Sequence, residues 1–124
     1  MIERYTRPEM AQIWSETNKL DTWLRIEVLV CEGWEQEGVI AAADMRKIRD
    51  ASYDLERARE LEREIHHDVI SFLRSVQERM GPEGRLLHLG LTSSDILDTA
   101  LAVQLRQAGE LIRNALSALE NIVS

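Results

Sequence analysis

The sequence predicts an all-α fold, and three observations carry that expectation. Apolar residues recur at spacings of three and four along most of the chain, no stretch of useful length alternates with a period of two, and hydroxyl or carboxylate residues stand ahead of the periodic runs as helix caps. No internal repeat or low-complexity tract interrupts this pattern, and four or five helices account for it.

The first helix is announced by Thr6, Pro8 and Glu9, a hydroxyl cap, a proline for the first turn and a glutamate three residues after the cap. It is expected to start near Arg7. After a polar break at residues 15–18, a second helix runs from about Lys19 with Leu20, Leu24, Val28 and Cys31 on one stripe. Trp23 and Trp34 flank that stripe, and Gly38 is its C-terminal stop. The run Val28, Leu29, Val30 and Cys31 reads as buried core.

A brief helix spans residues 42–50, where alanines accompany Met45 and Ile48. From about Asp54 a single long helix is expected, with Ala58, Leu61, Ile65, Val69, Phe72, Val76 and Met80 on its buried side and Gly81 and Pro82 ending it. Residues 81–90 read as a loop. Thr92, Ser93, Ser94 and Asp95 then open the last helix.

That helix carries Leu97, Leu101, Leu105, Ala108, Ile112, Ala115, Leu119 and Ile122 as a heptad-type seam, widened by Leu111, Leu116 and Val123. More than one neighbour should cover it. The pattern reaches Ser124 without a glycine, a proline or a basic last turn, so a longer natural chain is expected to continue it. The division expected is a helical domain over residues 1–92 and the start of a long bundle helix over residues 93–124.

Composition narrows the function. With 44% hydrophobic and 30% charged residues the chain has a globular rather than a disordered composition. A formal charge of -7, with acidic residues spread along the chain, opposes nucleic-acid binding, although Arg4, Arg7 and Arg25 suit a small anion. The chain offers no apolar stretch for a signal peptide or a membrane span. Cys31 is the only cysteine, which rules out an internal disulfide and suits a reducing cytoplasm.

Three places carry groups capable of chemistry. On the expected long helix, His67 and Asp68 project to the polar side with Ser71 and Arg74, whereas His66 lies nearer the apolar stripe and packs. Such a pair is ordinarily a solvated face, yet histidine is also the side chain suited to proton transfer or anion contact near neutral pH. Metal binding fits poorly, since His66 and His67 would point about 100° apart on a helix.

The second place is His88 through Asp95, a loop feeding a helix N-terminus, where free amides, the helix dipole and the hydroxyls of Thr92, Ser93 and Ser94 attract carboxylate or phosphate. A capping box from Thr92 to Asp95 accounts for the same residues without a ligand. The third is Arg4 with Tyr5, which either clasps a phosphate or simply decorates the surface. None of the three alone names a reaction, and neither a metal nor another cofactor is expected.

Together they carry a resemblance. Met1-Ile2-Glu3-Arg4-Tyr5-Thr6-Arg7-Pro8-Glu9-Met10 with Ile13-Trp14, then His67-Asp68-Val69, then Gly90-Leu91-Thr92-Ser93-Ser94-Asp95 resemble, in order and spacing, the opening of the bacterial-type adenylosuccinate lyases. That family belongs to the fumarase and aspartase superfamily, whose members eliminate fumarate from a succinyl group held through nitrogen or oxygen. The likeness covers essentially the whole chain.

The resemblance implies the helical N-terminal domain of that lyase fold and roles for individual residues. Arg4 and Tyr5 would contact the nucleotide near its phosphate. His67 would orient substrate or handle a proton, with Asp68 beside it, while Thr92 and Ser93 would hold a succinyl carboxylate and His88 would sit near the same pocket. It also implies a homotetramer with composite active sites, and a small-molecule nucleotide substrate. The family's downstream histidine and its serine on a mobile loop do not occur in this sequence, so the chain alone is expected to lack lyase activity while its apolar last helix self-associates. Two other readings remain open, a non-catalytic helical interaction module and a sister lyase of the same superfamily.

Overall fold

The computed structural model describes residues 2–124, and every regular element among them is helical. Six α-helices follow one another: α1 Pro8–Ile13, α2 Glu16–Gln36, α3 Ala42–Arg49, α4 Leu55–Ile65, α5 Asp68–Gln77 and α6 Ser93–Val123. Two 3-10 turns, Glu3–Tyr5 and Pro82–Leu86, precede α1 and fill part of the stretch expected as loop.

Local capping explains most of the boundaries. The Ser15 side chain accepts the Asn18 N–H at 3.1 Å, so the polar break is itself the start of α2, three residues before the expected Lys19. Thr6 does not cap α1. Its hydroxyl donates to the Ile2 carbonyl at 2.7 Å, and Arg7 stands at the N-cap ahead of Pro8. Gly38, at φ 76°, lets the chain turn after α2 as expected.

The largest correction concerns residues 54–80. The expected single helix is two helices packed against each other, α4 and α5, with a break at His66 and His67. Arg57 in the first turn of α4 grips Glu78, just past α5, through Nε at 2.9 Å and Nη2 at 3.0 Å, so the two run antiparallel as a hairpin. His66 makes the break in the left-handed region at φ 57°, ψ 35°, a conformation costly for most side-chain-bearing residues but several-fold enriched in histidine. Its ring is exposed rather than packed, and Ser71, expected on the polar side, is buried.

The core lies where α2, α3, α5 and the start of α6 meet, and includes Trp23, Met45, Ile48, Val69, Phe72, Val76 and Ile96. Phe72 takes Trp23 and Tyr53 edge-on, both at 5.5 Å between ring centroids. The buried stripe of α2 includes Leu20, Trp23, Glu27 and Cys31, rotated from the one expected; Leu24 and Val28 are half-buried and Leu29 is exposed.

The last helix is likewise used on a different face. Ile96, Ala100, Gln104 and Ala108 point into the chain, while Leu101, Leu105, Ile112, Leu116, Leu119 and Ile122 are exposed. The first half of α6 packs on α2. Farther along it meets α1, where Gln104 Nε2 and Asn18 Nδ2 donate to the Ile13 carbonyl at 2.9 and 2.8 Å and satisfy an end-of-helix acceptor. No helix among the described residues is long and apolar enough to cross a membrane.

Candidate functional site

The break between α4 and α5 creates the first half of the site. Because His66 ends α4, His67 becomes the N-cap of α5, with extended backbone and its ring Nδ1 accepting the Ile70 N–H at 3.2 Å. An Nδ1 that accepts carries no proton, so the neutral ring holds its proton on Nε2. Asp68 follows in the first turn of α5, where its carboxylate accepts the Val69 N–H at 2.7 Å and stands 3.8 Å from His67 Nδ1.

The start of α6 supplies the second half. Asp95 accepts the Thr92 N–H at 2.9 Å, the carboxylate arm of the expected capping box, and this fixes the first turn. The first-turn amides of a helix have no acceptor within it, and the positive end of the dipole lies there. Ser93 Oγ comes to 3.5 Å from His67 Nε2, which joins two sequence motifs 26 residues apart. An anionic oxygen can accept from both groups at once, with the amides of α6 beside it.

His88 is held differently. Its ring Nδ1 stands 2.6 Å from Glu27 Oε1 and its backbone N–H donates to Glu27 Oε2 at 2.8 Å, so one carboxylate binds the residue twice. Glu27 is 1% exposed, and His88 takes the left-handed backbone at φ 65°. Glu27 is the functional group that the sequence reading missed. The available signal was its position four residues before Cys31, an acidic side chain on a face otherwise filled by core residues.

Arg4 and Tyr5 do not join this cluster. The Arg4 guanidinium lies over the Tyr5 ring, 4.8 Å from its centroid, and Tyr5 is exposed. Nearby Arg7 and Met10 line a groove of about 630 Å³ with Leu111, Ile112, Leu119 and Ile122. From Ser93 to Leu111, α6 spans roughly 27 Å at 1.5 Å per residue. Within one chain the sequence motifs therefore form two stations: His67, Asp68, Thr92 and Ser93 with His88 close by in sequence, and Arg4 with Tyr5 toward the far end of α6. No group of three or more His, Cys, Asp or Glu among the described residues is arranged to hold a metal ion.

Comparison with known proteins gives the chain's family and its fold. A family described as lyase matches residues 3–124. An adenylosuccinate lyase of Staphylococcus saprophyticus is 45% identical over 125 residues, covering 100% of this chain and 29% of that protein. An adenylosuccinate lyase of Bacillus subtilis is 44% identical over 124 residues, 99% of this chain and 29% of that protein. The chain thus spans less than a third of the length of these relatives. In fold, the crystal structure of a fumarate lyase from Mesorhizobium superimposes with a TM-score of 0.81 at 22% identity, over 90% of this chain and 27% of that one. With the family matched along nearly all of its length, the chain belongs to the lyase family.

Proposed function

We propose that this chain works as the N-terminal part of an adenylosuccinate lyase, which eliminates fumarate from adenylosuccinate to give AMP and from the related succinyl-carboxamide ribotide of purine synthesis. Its share is substrate binding. His67, Thr92 and Ser93 hold a carboxylate of the succinyl group, Asp68 flanks His67, His88 contacts the same substrate, and Arg4 with Tyr5 take the nucleotide near its phosphate. His67 orients the substrate or handles a proton during elimination.

The observation that carries this reading is the 3.5 Å approach of Ser93 Oγ to His67 Nε2 at a helix N-terminus, in a chain 45% identical to an adenylosuccinate lyase. The separation of Arg4 and Tyr5 from that cluster supports a site assembled from more than one copy, in a cytoplasmic homotetramer. On this reading residues 1–92 form the substrate-facing domain and α6 enters the shared bundle, covering its exposed leucine and isoleucine face.

The acid and base that break the bond lie outside these residues, so the chain alone turns over no substrate. A fumarate-release assay tests this directly: none is expected from the isolated chain, and robust turnover would contradict it. Titration with adenylosuccinate, which carries the succinyl carboxylates, read on the amide of residue 93, should respond in the wild type and weaken in Ser93→Ala. The same response in both would favour a helical interaction module whose hydroxyls only cap.

A further inference from the structure

Four hydrogen bonds join three residues on one face of α2 to the segment that leads into α6. Glu27, Cys31 and Trp34 stand at intervals of four and three, hence on the same side of the helix. Glu27 takes the His88 N–H and faces its Nδ1, Cys31 Sγ donates to the Leu86 carbonyl at 3.7 Å, and Trp34 Nε1 donates to the Leu89 carbonyl at 2.9 Å. The loop cannot slide along this rail without breaking bonds.

The end of the rail at Glu27 has a chemical consequence. A carboxylate only accepts, so the proton in its 2.6 Å contact with His88 sits on Nδ1. In the neutral ring Nε2 then carries the lone pair. That nitrogen makes no hydrogen bond among the described residues, and none of their buried side-chain nitrogen or oxygen atoms lacks a partner, so it is open to solvent. His67 is the opposite case: its Nδ1 accepts the Ile70 N–H, and its Nε2 keeps the proton and approaches Ser93.

We propose that Glu27 is a positioning residue that fixes His88 in the Nδ1-protonated form, so that His88 offers the substrate an acceptor nitrogen where His67 offers a donor. The inference rests on the substrate reading above for what the two rings touch. His67 then suits an anionic oxygen, and His88 suits an N–H or O–H of the same molecule. One fold thereby distinguishes two chemically identical side chains, each through what its Nδ1 contacts.

Ring-nitrogen NMR of the 15N-labelled chain, at a pH where the histidines are neutral, tests this. The wild type should show His88 with a protonated Nδ1 and bare Nε2, and His67 with the reverse. Glu27→Gln should lower the Nδ1-protonated population of His88 and leave His67 unchanged. Trp34→Phe, which loosens the same loop without touching the carboxylate, should leave both rings unchanged. A wild-type His88 protonated on Nε2 overturns the inference even if Glu27→Gln does not fold, as does a folded Glu27→Gln with His88 unaltered. Opposite tautomers in the wild type support it even where adenylosuccinate gives no response in a parallel titration, an outcome that counts against the substrate reading alone.

Discussion

Ser93 Oγ stands 3.5 Å from His67 Nε2, and this contact exists because α4 stops at Ile65 although the apolar spacing runs on through Val69 and Phe72. A continuous helix through residue 67 would leave the ring on a solvated face. The left-handed His66 instead frees His67 to cap α5, with Nδ1 committed to the backbone and Nε2 free for the start of α6.

Cap and ligand contact are separable at position 67. His67→Ala loses both, and the missing cap should cost about 1 kcal/mol in urea denaturation. His67→Asn keeps a capping oxygen and should stay within about 0.5 kcal/mol of the wild type, yet it removes the Nε2 donor and should weaken nucleotide binding as much as His67→Ala does. Equal binding by His67→Asn and the wild type would reduce the histidine to a cap.

The Glu27–His88 pair is a buried hydrogen-bonded pair in which the carboxylate depends on the ring and backbone N–H of His88. His88→Ala leaves a carboxylate that is 1% exposed without its ring donor, and a loss of about 1–3 kcal/mol is expected. Pairing His88→Ala with Glu27→Met, which fills the space without charge, should recover most of that loss. Failure to recover it would mean that His88 acts through packing alone.

Gly90, at φ 77°, sets the approach of the loop to α2, because a Cβ there would meet Trp34 Cζ2 at 3.2 Å. Gly90→Ala combines left-handed strain with that contact and should destabilise by about 1–2 kcal/mol. Thermal unfolding reads the effect, and Trp34→Phe in the same chain should leave the strain in place.

Burial, and to a lesser degree the charge of Glu27, pushes the Cys31 thiol up to about 11. The folded state then keeps its proton above pH 9, where the unfolded chain has lost it, so this group's contribution to stability falls as pH rises from about 9 toward 11. Iodoacetamide should leave Cys31 unmodified at pH 8 until the chain is unfolded in urea. Rapid native labelling would contradict its burial beside the Leu86 carbonyl.

The exposed face of α6 should drive association. Burying one leucine is worth about 1.5–3 kcal/mol, so Leu105→Glu and Leu119→Glu are each expected to weaken self-association at least about tenfold in sedimentation equilibrium. Ala108, which faces the chain's own interior, marks the other side of the same helix.

The helical class, the caps at Thr92 and Asp95 and the residues of the His67 and Ser93 motifs were legible in the sequence because each leaves a local mark. The α4–α5 break was not. Leu61, Ile65, Val69 and Phe72 keep a helical period straight across it, and the left-handed residue is a histidine rather than the glycine that would signal a stop. On α6 two apolar faces overlap, and the long run of leucines and isoleucines from 101 to 122 outweighs Ile96 and Ala100 in any periodicity, although that pair is the one that faces inward. Glu27 was hidden because its burial depends on His88, 61 residues away.

The most direct measurement is fumarate release by a chimera in which this chain replaces the matching N-terminal segment of the Bacillus subtilis lyase. The chimera is expected to turn over adenylosuccinate, and Ser93→Ala and His67→Asn versions to lose activity by about 100-fold or more while still assembling. An assembled chimera that releases no fumarate, or one indifferent to both substitutions, would contradict the assignment of this site to substrate binding.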